Sequence, residues 1–197
     1  MSPAVKAARV GAERFERLYA ASADPWGYCT SSYERKKYAD TLAALPSRAL
    51  GPTLEIGCSI GVFTTELARR CEQVVGLDFS SRALALARER VSHLSNVQLR
   101  QASFPEQASD GPWDVVVCSE ILYYLDRDTL AQAIRWLSEH LRGETCVVVT
   151  SWRGAGVDEP LRGDEVHDLL ADELAPWHVL DRRAAGYRLD RFDGHGS

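Results

Sequence analysis

From Pro52 onward, short β-branched apolar runs alternate with longer stretches of helical period. That alternation admits few architectures other than βα units wound around a parallel sheet. TLEI at 53–56 reads as a first strand, 61–71 as a helix, VVGLD at 74–78 as a second strand, and 81–93 as a helix opened by a serine cap. A weaker third strand is expected at 97–100. WDVVVCS at 113–119 is apolar without interruption, as a central strand covered by helices on both faces requires. A helix then starts at Asp126 or Asp128, runs to His140 and ends at Arg142-Gly143, before a fifth strand, TCVVVTS, at 145–151.

The end of the chain breaks the pattern. After a helix over 164–174, the strand-like runs WHVLDRR and YRLDRF are separated by Ala-Ala-Gly alone. A parallel pair needs a crossover of a dozen residues or more, so these two strands form an antiparallel hairpin at the sheet edge. Residues 1–50 carry no strand pattern: an amphipathic helix is expected from Arg9 to Ala20, and a second helix ends near Leu45. The expected organisation is one domain over 1–197, with 1–50 a helical cap or lid on a core of 51–197.

With 28 acidic against 23 basic residues, the net charge of −5 argues against a general nucleic-acid or anionic-membrane binder and mildly favours a cationic small substrate. The N-terminal residues lack the apolar region of a signal peptide, and no run of about 18 apolar residues occurs, so a cytoplasmic protein without a membrane span is expected. The five cysteines form no C-x-x-C pair and suggest neither a disulfide framework nor a zinc site; no metal is expected.

The chemistry centres on LEIGCSIGVFT, residues 54–64: a strand, a turn with Gly57 and Gly61, then a helix start with free N–H groups. Asp78 ends the next strand, 21 positions after Gly57, where a carboxylate can accept both hydroxyl protons of a ribose. A glycine turn alone is weak evidence, since many βα connections are tight for packing reasons. Joined to Asp78 it points to a nucleoside-containing cofactor. The dinucleotide pattern G-x-G-x-x-G/A is not met, because the turn reads Gly57-Cys58-Ser59-Ile60-Gly61 after Glu55.

The pattern of Glu55, Gly57 and Gly61 resembles motif I of class I S-adenosylmethionine-dependent methyltransferases, whose usual form has glycine where Ser59 stands. The terminal hairpin agrees with that family. DPWGYCTSSYERKKY, LEIGCSIGVFT, SEILYYL and GDEVHDLL resemble successive blocks of the NodS N-methyltransferases, from about residue 24 to 192. The resemblance implies a single α/β, Rossmann-like class I methyltransferase domain with a seven-stranded, mostly parallel sheet, an antiparallel C-terminal strand and an N-terminal helical lid. It also implies S-adenosyl-L-methionine as cofactor and methylation of the free terminal amine of a deacetylated chitin oligosaccharide, as in nodulation-factor biosynthesis. The partner would be a small-molecule or oligosaccharide acceptor, and the chain a monomer or homodimer.

By the same resemblance, Glu55, Gly57 and Gly61 belong to the cofactor turn, Asp78 takes the ribose and Phe79 packs on the adenine. Ser103 stands where an aspartate is usual, so its hydroxyl, or the backbone around Phe104, must serve the adenine. Ser119 and Glu120 follow the fourth strand: Glu120 is a candidate for the methionine ammonium or as base toward the acceptor amine, its alternative being a cap of the next turn. Tyr123, nearest the strand end, is expected to orient the amine. Trp26 and Arg35 belong to the closing N-terminal block, Arg35 with a fork suited to the methionine carboxylate. Against this, Arg35-Lys36-Lys37 also reads as a solvated helix face and Trp26 as core. Trp152 is a candidate sugar platform, with Asp158 and Glu159 on an acidic rim; His167 reads as a packing residue. Two competing functions stay open: an O-methyltransferase of a secondary-metabolite pathway, and a nucleotide-binding module without methyl transfer.

Overall fold

The structure, a computed structural model, describes residues 3–154, 156 and 159–195, with the backbone alone for 3–10 and 12. Its elements follow the expected alternation. Helices α1 (Pro3–Ala21) and α2 (Ser32–Ala44) precede β1 (Leu50–Ile56), α3 (Val62–Ala68), β2 (Cys71–Asp78), α4 (Ser81–Val91) and β3 (Val97–Gln101). After these come β4 (Val115–Ser119), α5 (Arg127–Leu141), β5 (Cys146–Trp152), α6 (Gly163–Glu173), β6 (His178–Arg183) and β7 (Tyr187–Asp193).

The strands form one sheet in the order β3-β2-β1-β4-β5-β7-β6. The first five are parallel, and β7 runs antiparallel to both β5 and β6. The hairpin expectation holds, with β6 as the edge and β7 inserted beside β5. Side chains of β4 alternate between two cores. Val115 and Val117 pack with α2 and α3, while Val116 and Cys118 pack with α5 and α6. That two-sided burial explains why the run has no polar interruption.

Boundaries differ from expectation where side chains leave the sheet. Trp113 lies before β4, its Nε1 donating to Ser109 O at 3.0 Å. The helix expected to reach residue 71 ends at Ala68, because Arg69 and Arg70 close a turn on Glu66 O and Leu67 O. Cys71 is thereby free to open β2. Asp126 caps α5 through Thr129 N at 2.8 Å. Helix α2 packs through Tyr38 and Ala44 into the core against β4, β5 and β7. Among the described N-terminal residues, α1 and the turn after it line the main cavity at the open end of the sheet, and α2 reaches the end of β4 through Lys37. No helix among the described residues is long and apolar enough to cross a membrane.

Candidate functional site

The strand order reverses between β1 and β4, and ligands of open α/β sheets bind at the carboxyl ends of strands flanking such a point. A cavity of about 230 Å³ opens there. Its floor is Gly57, Ser59, Asp78 and Ser119; Phe79, Ala102, Ser103 and Phe104 line one side, and Glu120, Ile121 and Tyr124 the other.

The floor is set by backbone geometry. Gly57 (φ +80°) and Gly61 (φ +77°) occupy the left-handed region, where an added Cβ is strained. A Cβ on Gly57 would also meet the Ile121 side chain at 3.4 Å, at the cavity wall. Ser59, in place of the usual glycine, takes φ +49°. Two partners hold it there: its N–H donates to Asp78 Oδ2 at 2.9 Å, and its hydroxyl lies 2.5 Å from that of Tyr19. Arg90 Nε donates to Ile60 O at 2.8 Å and steadies the same turn.

Asp78 accepts Ser59 N–H on one oxygen and Ser80 N–H, at 2.8 Å, on the other. Each oxygen keeps a lone pair for a further donor in the cavity. Burial pushes its carboxyl up to about 6, against the opposing pull of the two N–H groups. Beneath the turn, Glu55 accepts from Thr64 Oγ1 at 2.6 Å, and burial raises it to about 7. Glu55 and Gly61 thus shape the turn from below and do not line the main cavity.

The roof is aromatic. Asp24 accepts Tyr28 N–H and Cys29 N–H, at 2.8 and 2.9 Å, and this turn turns Trp26 and Tyr28 inward. Phe15 of α1 packs against Trp26, Phe79 and Tyr124 with centroids 5.7, 5.4 and 5.0 Å apart. Helix α1 is fastened to the start of α4 by Glu16 Oε1, which accepts from Ser81 N at 2.6 Å. Its neighbour contact with Arg82 Nε spans 3.4 Å.

Several expected site residues lie elsewhere. Arg35 is exposed and donates to Thr30 O at 2.8 Å, outside the cavity, because its position on α2 faces solvent. Lys37, read as part of a solvated face with it, is buried between Glu34 and Glu120. Tyr123 turns away from the cavity and donates to Glu120 Oε2 at 2.6 Å; Tyr124 takes the cavity wall instead. Glu120 does reach the cavity wall, but both its oxygens are engaged: Oε1 accepts from Lys37 Nζ, and Oε2 from Tyr123 and from Trp152 N–H at 2.9 Å. A carboxylate held this way is poorly placed to take a substrate proton. Trp152 is 36% exposed and does not line the cavity, nor does Glu159, which accepts from Gly156 N. Asp158 lies outside the described residues. Sequence reasoning missed Phe15, Tyr19 and Tyr28; the i, i+4 spacing of the first two on an amphipathic helix was the available signal.

The family profile for Nodulation protein S (NodS) matches residues 11–159. The chain belongs to the NodS family. It is 29% identical over 134 residues to Nodulation protein S of Azorhizobium caulinodans, covering 67% of this chain and 64% of that protein. Against the Bradyrhizobium diazoefficiens protein it is 33% identical over 135 residues, covering 66% and 63%. The match thus spans somewhat under two thirds of these relatives' own length. Among solved structures, the NodS N-methyltransferase of Bradyrhizobium japonicum in complex with S-adenosyl-L-homocysteine aligns with TM-score 0.77 and 23% identity, over 93% of this chain and 97% of that one. A Pseudomonas syringae protein described as a putative methyltransferase aligns with TM-score 0.72 and 32% identity, over 83% and 99%. The fold is that of class I methyltransferases, as NodS blocks in the sequence had implied.

Proposed function

We propose that this NodS-family chain is an S-adenosylmethionine-dependent methyltransferase acting on a free amine, such as the terminal residue of a deacetylated chitin oligosaccharide. The observation that carries this reading is Asp78, a half-buried carboxylate with a free lone pair on each oxygen, facing the cavity beside the Gly57 turn. That arrangement fits the two ribose hydroxyls of a nucleoside cofactor. Phe79 and Phe104 offer apolar surface for the adenine, with Ser103 as a polar partner at its edge. When bound, the cofactor's sulfonium supplies a methyl carbon that is already electrophilic.

The protein's own work is alignment and exclusion of water. The roof of Phe15, Trp26 and Tyr28 shields the cavity, and aromatic faces favour cations. Among the described lining residues stand four carboxylates, Asp78, Glu106, Glu120 and Asp126, and no lysine, arginine or histidine. Such a lining draws a protonated amine more than a neutral hydroxyl, which supports N- over O-methylation. Attack requires the neutral amine. With Glu120 already bonded, we assign that proton to solvent water at the mouth, not to a protein base.

The test is mass spectrometry of a deacetylated chitin oligosaccharide incubated with the protein and S-adenosylmethionine, beside calorimetry of S-adenosylhomocysteine binding. A 14-dalton gain, about one CH₂, on the free amine is expected. Binding with an inert sugar would reject the acceptor, and absence of binding would reject the class.

A further inference from the structure

A buried charged cluster lies behind the cavity wall, and the cofactor reading makes no use of it. Lys37, 1% exposed, sits on the inward face of α2 between two carboxylates. Its Nζ donates to Glu34 Oε1 at 3.0 Å and to Glu120 Oε1 at 2.6 Å, and lies 5.2 Å from the Tyr33 ring centroid. Glu120 itself takes φ +58°, a conformation that non-glycine residues rarely adopt without partners to hold them. Its partners are Tyr123 of the following turn and Trp152 N–H at the end of β5. One carboxylate therefore ties α2, the end of β4, the turn after it and the end of β5 into one corner. Ser119 and Tyr124 on that corner face the cavity.

Two carboxylates share one ammonium here. Without it, two like charges would stand in one buried place, and such pairs take up a proton. A protonated Glu120 could no longer accept freely from both Tyr123 and Trp152. We infer that Lys37 is a positioning residue for the proposed reaction, acting through Glu120 to keep the Ser119–Tyr124 corner preformed for the cofactor. The inference rests on the cofactor reading above.

The groups that face Glu120 come from α2, the segment before it and the turn after β4. From α2 come Lys37, Glu34, Tyr33 and Tyr38; from the segment before it, Tyr28; from the turn after β4, Tyr123 and Tyr124. Burial pushes all five phenols upward, so they stay neutral near physiological pH. Glu34 is also raised by burial. When Lys37 is removed, Glu34 and Glu120 are the buried carboxylates of this cluster among the described residues, with Asp24 facing Glu34 from the turn before α2.

The experiment is calorimetric titration of S-adenosylhomocysteine into the full chain and its K37M, E34Q, E120Q and K37M/E120Q variants, from about pH 7 to about pH 9, above the range in which Asp78 titrates. Glu55 beneath the turn, which burial raises to about 7, is common to all the chains, so each variant is read as its ratio to the wild type at the same pH. K37M should bind about tenfold more weakly at the lower end and recover as pH rises, because the carboxylate pair then loses its extra proton. E34Q, which leaves the Lys37–Glu120 pair intact, should bind as wild type, and K37M/E120Q should be no weaker than the worse single variant and flat with pH. Should K37M not fold, K37Q carries the same test, since it removes the ammonium and keeps both carboxylates. Wild-type binding by K37M, or a loss flat with pH and additive with that of E120Q, would overturn the inference and leave Lys37 structural only. Failure of the wild type to bind would instead remove the cofactor reading, and this inference with it.

Discussion

Asp78 concentrates the residue-scale chemistry. Burial pushes its carboxyl up to about 6, and only the ionised form accepts freely on both oxygens from a ribose diol, so this carboxylate should support cofactor binding fully above that pH. Below it, affinity should fall by up to about tenfold per pH unit as the acid protonates. Asp78→Asn should weaken S-adenosylhomocysteine binding by roughly 10- to 100-fold, since hydrogen bonds to charged groups contribute about 1.5–3 kcal/mol, and should flatten the pH profile. Calorimetry over pH reads both outcomes, and an unchanged Asp78→Asn variant would remove the ribose assignment. Asp78 was legible in the sequence because its position follows from strand ends. Tyr123 against Tyr124 was not. Glu120 takes a left-handed backbone conformation at the end of β4, and Tyr123 donates to its carboxylate, leaving Tyr124 to the cavity.

At the scale of elements, strands were readable and helix faces less so. The apolar runs of β4 and β5 announce two-sided burial directly, whereas a run of three basic residues in α2 reads as solvated. Spacing held the missing signal: Glu34, Lys37, Thr41 and Ala44 recur at three or four residues and share the buried face, while Arg35 and Lys36 point outward. Glu16 joins α1 to the start of α4 from a partly exposed position, so Glu16→Ala is expected to leave the melting temperature nearly unchanged. It should raise the dissociation rate of S-adenosylhomocysteine by roughly 3- to 10-fold, as stopped-flow measurement would show. A different coupling holds α6 to β7. His167 Nδ1 lies 2.9 Å from Asp190 Oδ2, both side chains fully buried, with Arg188 Nη2 3.5 Å from the same oxygen. His167→Ala removes both a buried partner and ring volume, and should cost about 2–4 kcal/mol in urea denaturation with cofactor affinity retained. A loss of under about 0.5 kcal/mol would show that Arg188 alone satisfies Asp190.

For the whole molecule, the net charge of −5 and the carboxylates around the cavity would act together on the amine acceptor proposed above. The KM for a cationic acceptor is expected to rise several-fold between about 0.05 and about 0.5 M salt, with kcat nearly constant, because added ions screen the attraction. The N-acetylated oligosaccharide, neutral and without a nucleophilic nitrogen, should not be methylated under any of these conditions. The strand order carries a consequence for how the chain is made. The strand that covers the open side of β5 is β7, and β7 follows every other described element in sequence. During synthesis the apolar strand Cys146–Trp152 therefore waits, bonded on one side only, until some forty further residues have left the ribosome, about 2–8 s at ordinary elongation rates. A nascent chain halted before Tyr187 would present that strand as an open template for another copy, so association is the expected outcome.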